Sequence, residues 1–78
     1  MSKTIKHKEW EIEAYTDLDS VHVDISITKN GTFYSGSLAC AENEGQIECE
    51  NWEKTIKVPQ IVITKAGALA DELWEANK

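Results

Sequence analysis

Two histidines, two cysteines and fourteen carboxylates are the residues of this 78-residue chain best able to do chemistry. His22-x-Asp24 has the i, i+2 spacing that puts both side chains on one side of a strand, as a general base and its orienting carboxylate require. Ser35 and Ser37 would have to supply the nucleophile from a neighbouring strand. Such a triad needs an oxyanion hole and a sheltered pocket, and an open sheet face offers neither. His22 and Asp24 therefore read as part of a solvated polar face. Cys40 and Cys49, spaced C-x8-C, have only the distant His7 and His22 beside them, a spacing that does not suit a four-ligand zinc site within one chain. Asp17-Leu18-Asp19 is a D-x-D turn without the glycine and distant glutamate of a calcium loop. Carboxylate pairs that hydrolyse glycosides flank a cleft, and a small sheet has little from which to build one. No catalytic residue, metal or cofactor is expected, and the chain reads as a non-enzyme.

The carboxylates are informative through their placement. The chain has eight lysines, no arginine and a formal charge of −6. Residues 1–8 carry +3, residues 9–53 carry −10 and residues 54–78 carry +1. Glu9, Glu11 and Glu13 share one face of an expected strand, about 6.7 Å apart at the strand rise. Glu48 and Glu50 repeat the pattern, with Glu42 and Glu44 in the loop before them, and Asp24 lies on the polar face of the central hairpin. Successive phosphates of a nucleic-acid strand have a comparable spacing, so such rows offer a basic protein something like a phosphate backbone. Solvated faces usually mix both signs to limit cross-strand repulsion, whereas Lys29 is the lone lysine between residues 9 and 53. Phe33 falls outward beside the hairpin turn, and Trp52 follows Glu48 and Glu50 in phase. An exposed aromatic among carboxylates has the composition of a hot spot facing a basic surface. Trp10 and Trp74 are assigned to the core.

These side chains must be held by an α+β domain whose first part alternates with period two. Trp10, Ile12 and Ala14 oppose Glu9, Glu11, Glu13 and Tyr15; Thr16 to Ser20 is turn-like; then Val21, Val23, Ile25 and Ile27 alternate with His22, Asp24, Ser26 and Thr28. Asn30-Gly31 is the preferred pair for a type I′ hairpin. If Lys29 pairs with Thr32, Ile27 faces Tyr34, Ile25 faces Gly36, Val23 faces Leu38 and Val21 faces Cys40. On the other face Thr28 meets Phe33, Ser26 meets Ser35, Asp24 meets Ser37 and His22 meets Ala39. A one-residue slip would turn the whole apolar set outward, which specifies this register. Residues 42–46 read as a second turn leading into Ile47 to Glu50, with Ile47 and Cys49 joining the face of Leu38 and Cys40. Cys40 then lies either directly opposite Cys49 or diagonal to it. Two small, reduced core thiols are expected, a disulfide being the alternative in an oxidising setting.

Lys54 to Val58 reads as a short strand with Ile56 and Val58 inward. From Val58 onward, Val62, Ala66, Leu69, Leu73 and Ala76 recur at steps of three or four, one face of a helix that Ala70 and Trp74 widen. The helix starts near Pro59 or near Thr64, because the β-branched Ile61 to Thr64 and the interior Gly67 oppose it. The expected architecture is an antiparallel β-meander of about four strands with one C-terminal amphipathic helix packed on its apolar face. It forms a single domain, 1–78, with residues 1–8 as a basic, frayed segment. No apolar stretch follows the basic N-terminus, so neither a secretory signal nor a membrane span is expected, and the cytoplasm is the default address.

The functional expectation is a small acidic protein-binding module. Glu9, Glu11, Glu13, Asp24, Phe33, Glu48, Glu50 and Trp52 would dock on a basic partner, a nuclease or other nucleic-acid-binding protein. Direct binding of nucleic acid is disfavoured by the sign of the charge. In size, charge and architecture the chain is similar to the small acidic inhibitors that phages and mobile elements direct against restriction or CRISPR machinery, a likeness of general character that no motif carries. The alternative is a structural protein that homodimerises, its acidity serving solubility.

Overall fold

The computed structural model describes residues 2–76; Met1, Asn77 and Lys78 lie outside the described residues. The sheet begins with strands β1 (Ser2–His7), β2 (Trp10–Asp17), β3 (Ser20–Lys29) and β4 (Thr32–Ser37), of which β2 and β3 follow the alternation of apolar and polar side chains. A helix, α1 (Leu38–Glu44), precedes β5 (Gln46–Cys49) and β6 (Thr55–Lys57), and the chain closes with α2 (Gln60–Ala76). The six strands follow chain order in one antiparallel sheet, two more than expected. The segment expected to be frayed is an edge strand, with Ile5 opposite Ile12 and His7 opposite Trp10. Its single large aliphatic residue hides it from a hydrophobic scan, and Lys3 and Lys6 suit an edge that must not recruit further strands.

The Asn30-Gly31 hairpin forms as its sequence predicts. Both residues have positive φ, 52° and 78°, and Ile27–Tyr34, Ile25–Gly36, Thr28–Phe33, Ser26–Ser35 and Asp24–Ser37 are partners. The pairing stops there. Val23–Leu38, His22–Ala39 and Val21–Cys40 do not form, because the chain leaves the sheet at Leu38 and coils into α1. Ser37 caps this helix by accepting a hydrogen bond from the Cys40 N–H at 3.2 Å. Gly45, at φ 73°, ends it by donating to the Ala41 carbonyl at 2.8 Å. Serine before a Leu-Ala-Cys-Ala-Glu run and glycine after it are start and stop signals for a helix. Alternation of Leu38 and Cys40 with the two alanines imitates a strand, which is why residues 38–44 read as sheet and turn.

One face of the sheet is covered by α2. Val62, Ala66, Leu69 and Leu73 of the helix are buried with Trp10, Ile12, Ala14, Val23, Ile25 and Ile27 of the sheet, and α1 adds Ala41. Ile56 and Val58 face inward, half-buried and buried respectively. Of the two possible starts, the helix takes the earlier: the Pro59 carbonyl accepts hydrogen bonds from the N–H groups of Val62 and Ile63 at 3.0 and 3.2 Å. Burial of Val62 outweighs the weak helix propensity of its β-branched neighbours. Trp74 is a correction, for it stands 48% exposed. It continues the half-buried flank of Ile63, Gly67 and Ala70, whereas the buried stripe runs through residues 62, 66, 69 and 73. A Cβ at Gly67 would meet nothing within 4 Å. Gly67→Ala should therefore stabilise the protein by about 0.5–1 kcal/mol, read as a higher urea midpoint with an unchanged slope.

The carboxylate face and its neighbouring concavity

The face of the sheet opposite α2 is built by the outward half of each alternation. β1 contributes Thr4 and Lys6, β2 Glu11, Glu13 and Tyr15, β3 His22, Asp24, Ser26 and Thr28, and β4 Phe33, Ser35 and Ser37. Register puts Glu13 opposite Asp24 and Glu11 opposite Ser26. Directly opposed side chains on neighbouring strands have Cβ atoms about 4.5–5.5 Å apart, and like charges in that position repel. Glu11, Glu13 and Asp24 line a shallow concavity of about 410 Å³ whose other wall holds Phe33, Ser35 and Ser37. A smaller hollow beside it, about 230 Å³, joins Glu9 and Glu11 to Phe33 and Ser26. Phe33 is 55% exposed.

The row of three glutamates is shorter than its spacing suggested. Glu9 is in the two-residue turn between β1 and β2, because Lys8 takes a positive φ of 55° and reverses the chain two residues before β2 begins. Lysines also reach this region from elements that charge counting along the chain had separated from it. Lys29 Nζ is 3.8 Å from Glu9, and Lys6 Nζ of the edge strand is 3.9 Å from Glu11. Another ion pair, Lys3–Glu72, fastens β1 to α2. Glu13 and Asp24 appear in none of these pairs. At the far end of the face, the Tyr15 and His22 rings stack, with centroids 5.1 Å apart and planes at 22°. His22 thus has a ring partner, while the register partners of Asp24 are Glu13 and Ser37.

The second expected row divides as well. Glu48 stays on the outward face, opposite Ser35 and Thr55. Glu50 and Trp52 leave the strand: β5 ends at Cys49, and residues 50–54 form the loop to β6. That loop is closed by the Trp52 N–H donating to the Cys49 carbonyl at 2.9 Å and by the Cys49 N–H donating to the Lys54 carbonyl at 3.0 Å. Trp52 has a φ of 59° and is 77% exposed. Glu48, Glu50 and Trp52 nonetheless meet again around a concavity of about 320 Å³, together with Glu44 and Cys40 of α1. Glu44 and Cys40 are site residues that strand periodicity missed; the capping signals around α1 were the clue that would have placed them.

The cysteines are both free. Neither expected register joins them, since Cys49 is opposite Tyr34 and Cys40 is helical. Only Cys49 is a core thiol. It is buried, donates to Asn51 Oδ1 at 2.9 Å and accepts the Lys54 N–H at 3.3 Å. Cys40 is exposed. Titration with an aromatic disulfide reagent, without reductant, should therefore find one thiol in the native protein and a second only after unfolding.

Among the described residues no group of three or more His, Cys, Asp or Glu is placed to hold a metal ion, and no helix is long and apolar enough to cross a membrane. No protein-family model, curated protein or solved structure matches the chain.

Proposed function

We propose that this protein is a binding module that docks the outward face of β2, β3 and β4 on a basic protein. The observation that carries this reading is the Glu13–Asp24 pair, opposed across two strands with Glu11 two residues away and exposed Phe33 across the same hollow. Opposed carboxylates destabilise a sheet, and a cationic surface laid over them reverses the sign of that interaction. An aromatic ring at the centre of such a contact supplies apolar burial, while the charges steer encounter and fix orientation. The partner class is a nucleic-acid-handling protein, whose phosphate-binding groove has the required charge. The protein then acts as an inhibitor by occupying that groove, in the manner of small acidic antagonists of restriction or CRISPR systems. Its role is one of binding rather than catalysis.

The test is affinity capture from lysate at low and at high salt, with the bound proteins identified. Basic nucleic-acid-binding proteins retained at about 50 mM salt and released at about 500 mM are the expected result, since an 8 Å screening length at physiological salt shortens further with concentration. Capture that ignores salt would overturn the reading. Sedimentation across concentrations addresses the alternative of self-assembly: a stable dimer burying Glu11 and Glu13 would remove this face from any partner.

A further inference from the structure

The concavity beside β5 has a different make-up from the β2–β3 face. Its wall combines Gly36, Ile47 and Cys49 with Glu44, Glu48, Glu50 and Trp52. Among the described residues no lysine lines it, and no ion pair involves its carboxylates. The Trp52 indole takes part in no ring stack among the described residues. A volume of about 320 Å³ is at the small end of the roughly 300–1,000 Å³ range of ligand pockets, so it suits a single side chain. An apolar side chain is disfavoured by these carboxylates. A cation that presents a flat face to an indole and hydrogen-bond donors to carboxylates matches Trp52 and the glutamates of this wall.

We propose that this concavity seats an arginine side chain of the basic partner, its guanidinium stacked on Trp52 and hydrogen-bonded to Glu48 and Glu50. The guanidinium is planar, weakly hydrated and carries five donors in a fixed fork, and it stacks on aromatic faces. Tryptophan is the best of the aromatic cation acceptors. Lysine offers a compact, strongly hydrated charge that gains less from a flat ring. The inference rests on the reading of the chain as a binder of basic proteins, and adds the group recognised and a second anchoring point next to the Glu11–Glu13–Asp24 hollow.

The test uses nona-arginine and nona-lysine peptides, titrated at low salt into the full chain and followed by amide and indole N–H resonances. The wild type is expected to bind nona-arginine more tightly than nona-lysine, with shifts at the Trp52 indole and at Glu48 and Glu50. Trp52→Ala should weaken nona-arginine binding about five- to tenfold and erase the preference, and Trp52→Phe should restore most of it. Trp52 is in a loop and exposed, so these variants keep the fold, which their amide spectra verify. Unaltered binding by Trp52→Ala, with shifts confined to β2, β3 and Phe33, would overturn the arginine seat and leave the docking face standing. Failure of both peptides to bind would overturn the two together.

Discussion

Gly36→Val is expected to lower stability by about 3 kcal/mol or more, and Gly36→Ala by about 1–3 kcal/mol. Gly36 is in β4 opposite Ile25, with its bare face toward the core. A Cβ placed there would come within 2.7 Å of Ile47 Cγ2 and 3.1 Å of Ile47 Cβ. The second atom adjoins the backbone, so rotating a side chain cannot relieve the contact. Ile47 is also β-branched and stiff at χ1, 2% exposed and opposite Ile56. Alanine at position 36 must push β5 outward, and valine must push it further. For a domain of this size about 1 kcal/mol moves Tm by roughly 4–8 °C. A fall of about 5–20 °C for Gly36→Ala, and a larger one for Gly36→Val, is the expected melting result. Ile47→Ala combined with Gly36→Ala isolates the contact: a double-mutant coupling near zero would show that the two residues do not compete for the same space.

Glu11→Gln, Glu13→Gln and Asp24→Asn in one chain should move stability and binding in opposite directions. Glutamine and asparagine keep the size and polarity of the side chains and remove the repulsion between opposed carboxylates. The fold should gain about 0.2–1 kcal/mol, less the small contribution of the exposed Lys6–Glu11 pair, whose atoms are 3.9 Å apart. Capture of the basic partner should weaken at least about tenfold at low salt, with a shallower salt dependence, because steering and complementarity act through these charges. Melting and binding measured on the same preparation decide the matter. A variant that is destabilised would show the carboxylates to be structural, and one that binds at wild-type strength would remove the face from the proposed function.

The parts of the fold legible in the sequence are those in which one signal decides. The hairpin at Asn30-Gly31 follows from turn chemistry and alternation together, and the buried stripe of α2 from its period. α1 was hidden because Ser37 to Ala41 satisfies two rules at once, alternation and helix capping, and tertiary packing of Ala41 against the core favours the helix. β1 was hidden because an edge strand needs little hydrophobicity of its own when β2 supplies every partner. For the candidate site, strand parity placed Glu11, Glu13, Asp24, Phe33 and Glu48 on the outward face correctly. Parity says nothing past the point where a strand turns, which is why Glu9, Glu50 and Trp52 left their expected rows. It also says nothing of neighbours distant in sequence, so Lys6 beside Glu11 was invisible to it.

The seam between β4 and β5 bears on how the molecule moves. Only Tyr34–Cys49 and Ser35–Glu48 are partners across it, whereas β2 and β3 share eight pairs. Amide protons of β5 and β6 should therefore exchange faster than those of β2 and β3, through a partial opening that leaves the β1–β4 meander intact, as hydrogen-exchange measurements would show. Ser35 and Gly36 are on one bank of this seam and Glu48, Glu50 and Trp52 on the other, around a single concavity. A side chain lodged there would bridge the two banks, so a captured partner would act as a clasp across the short β4–β5 pairing.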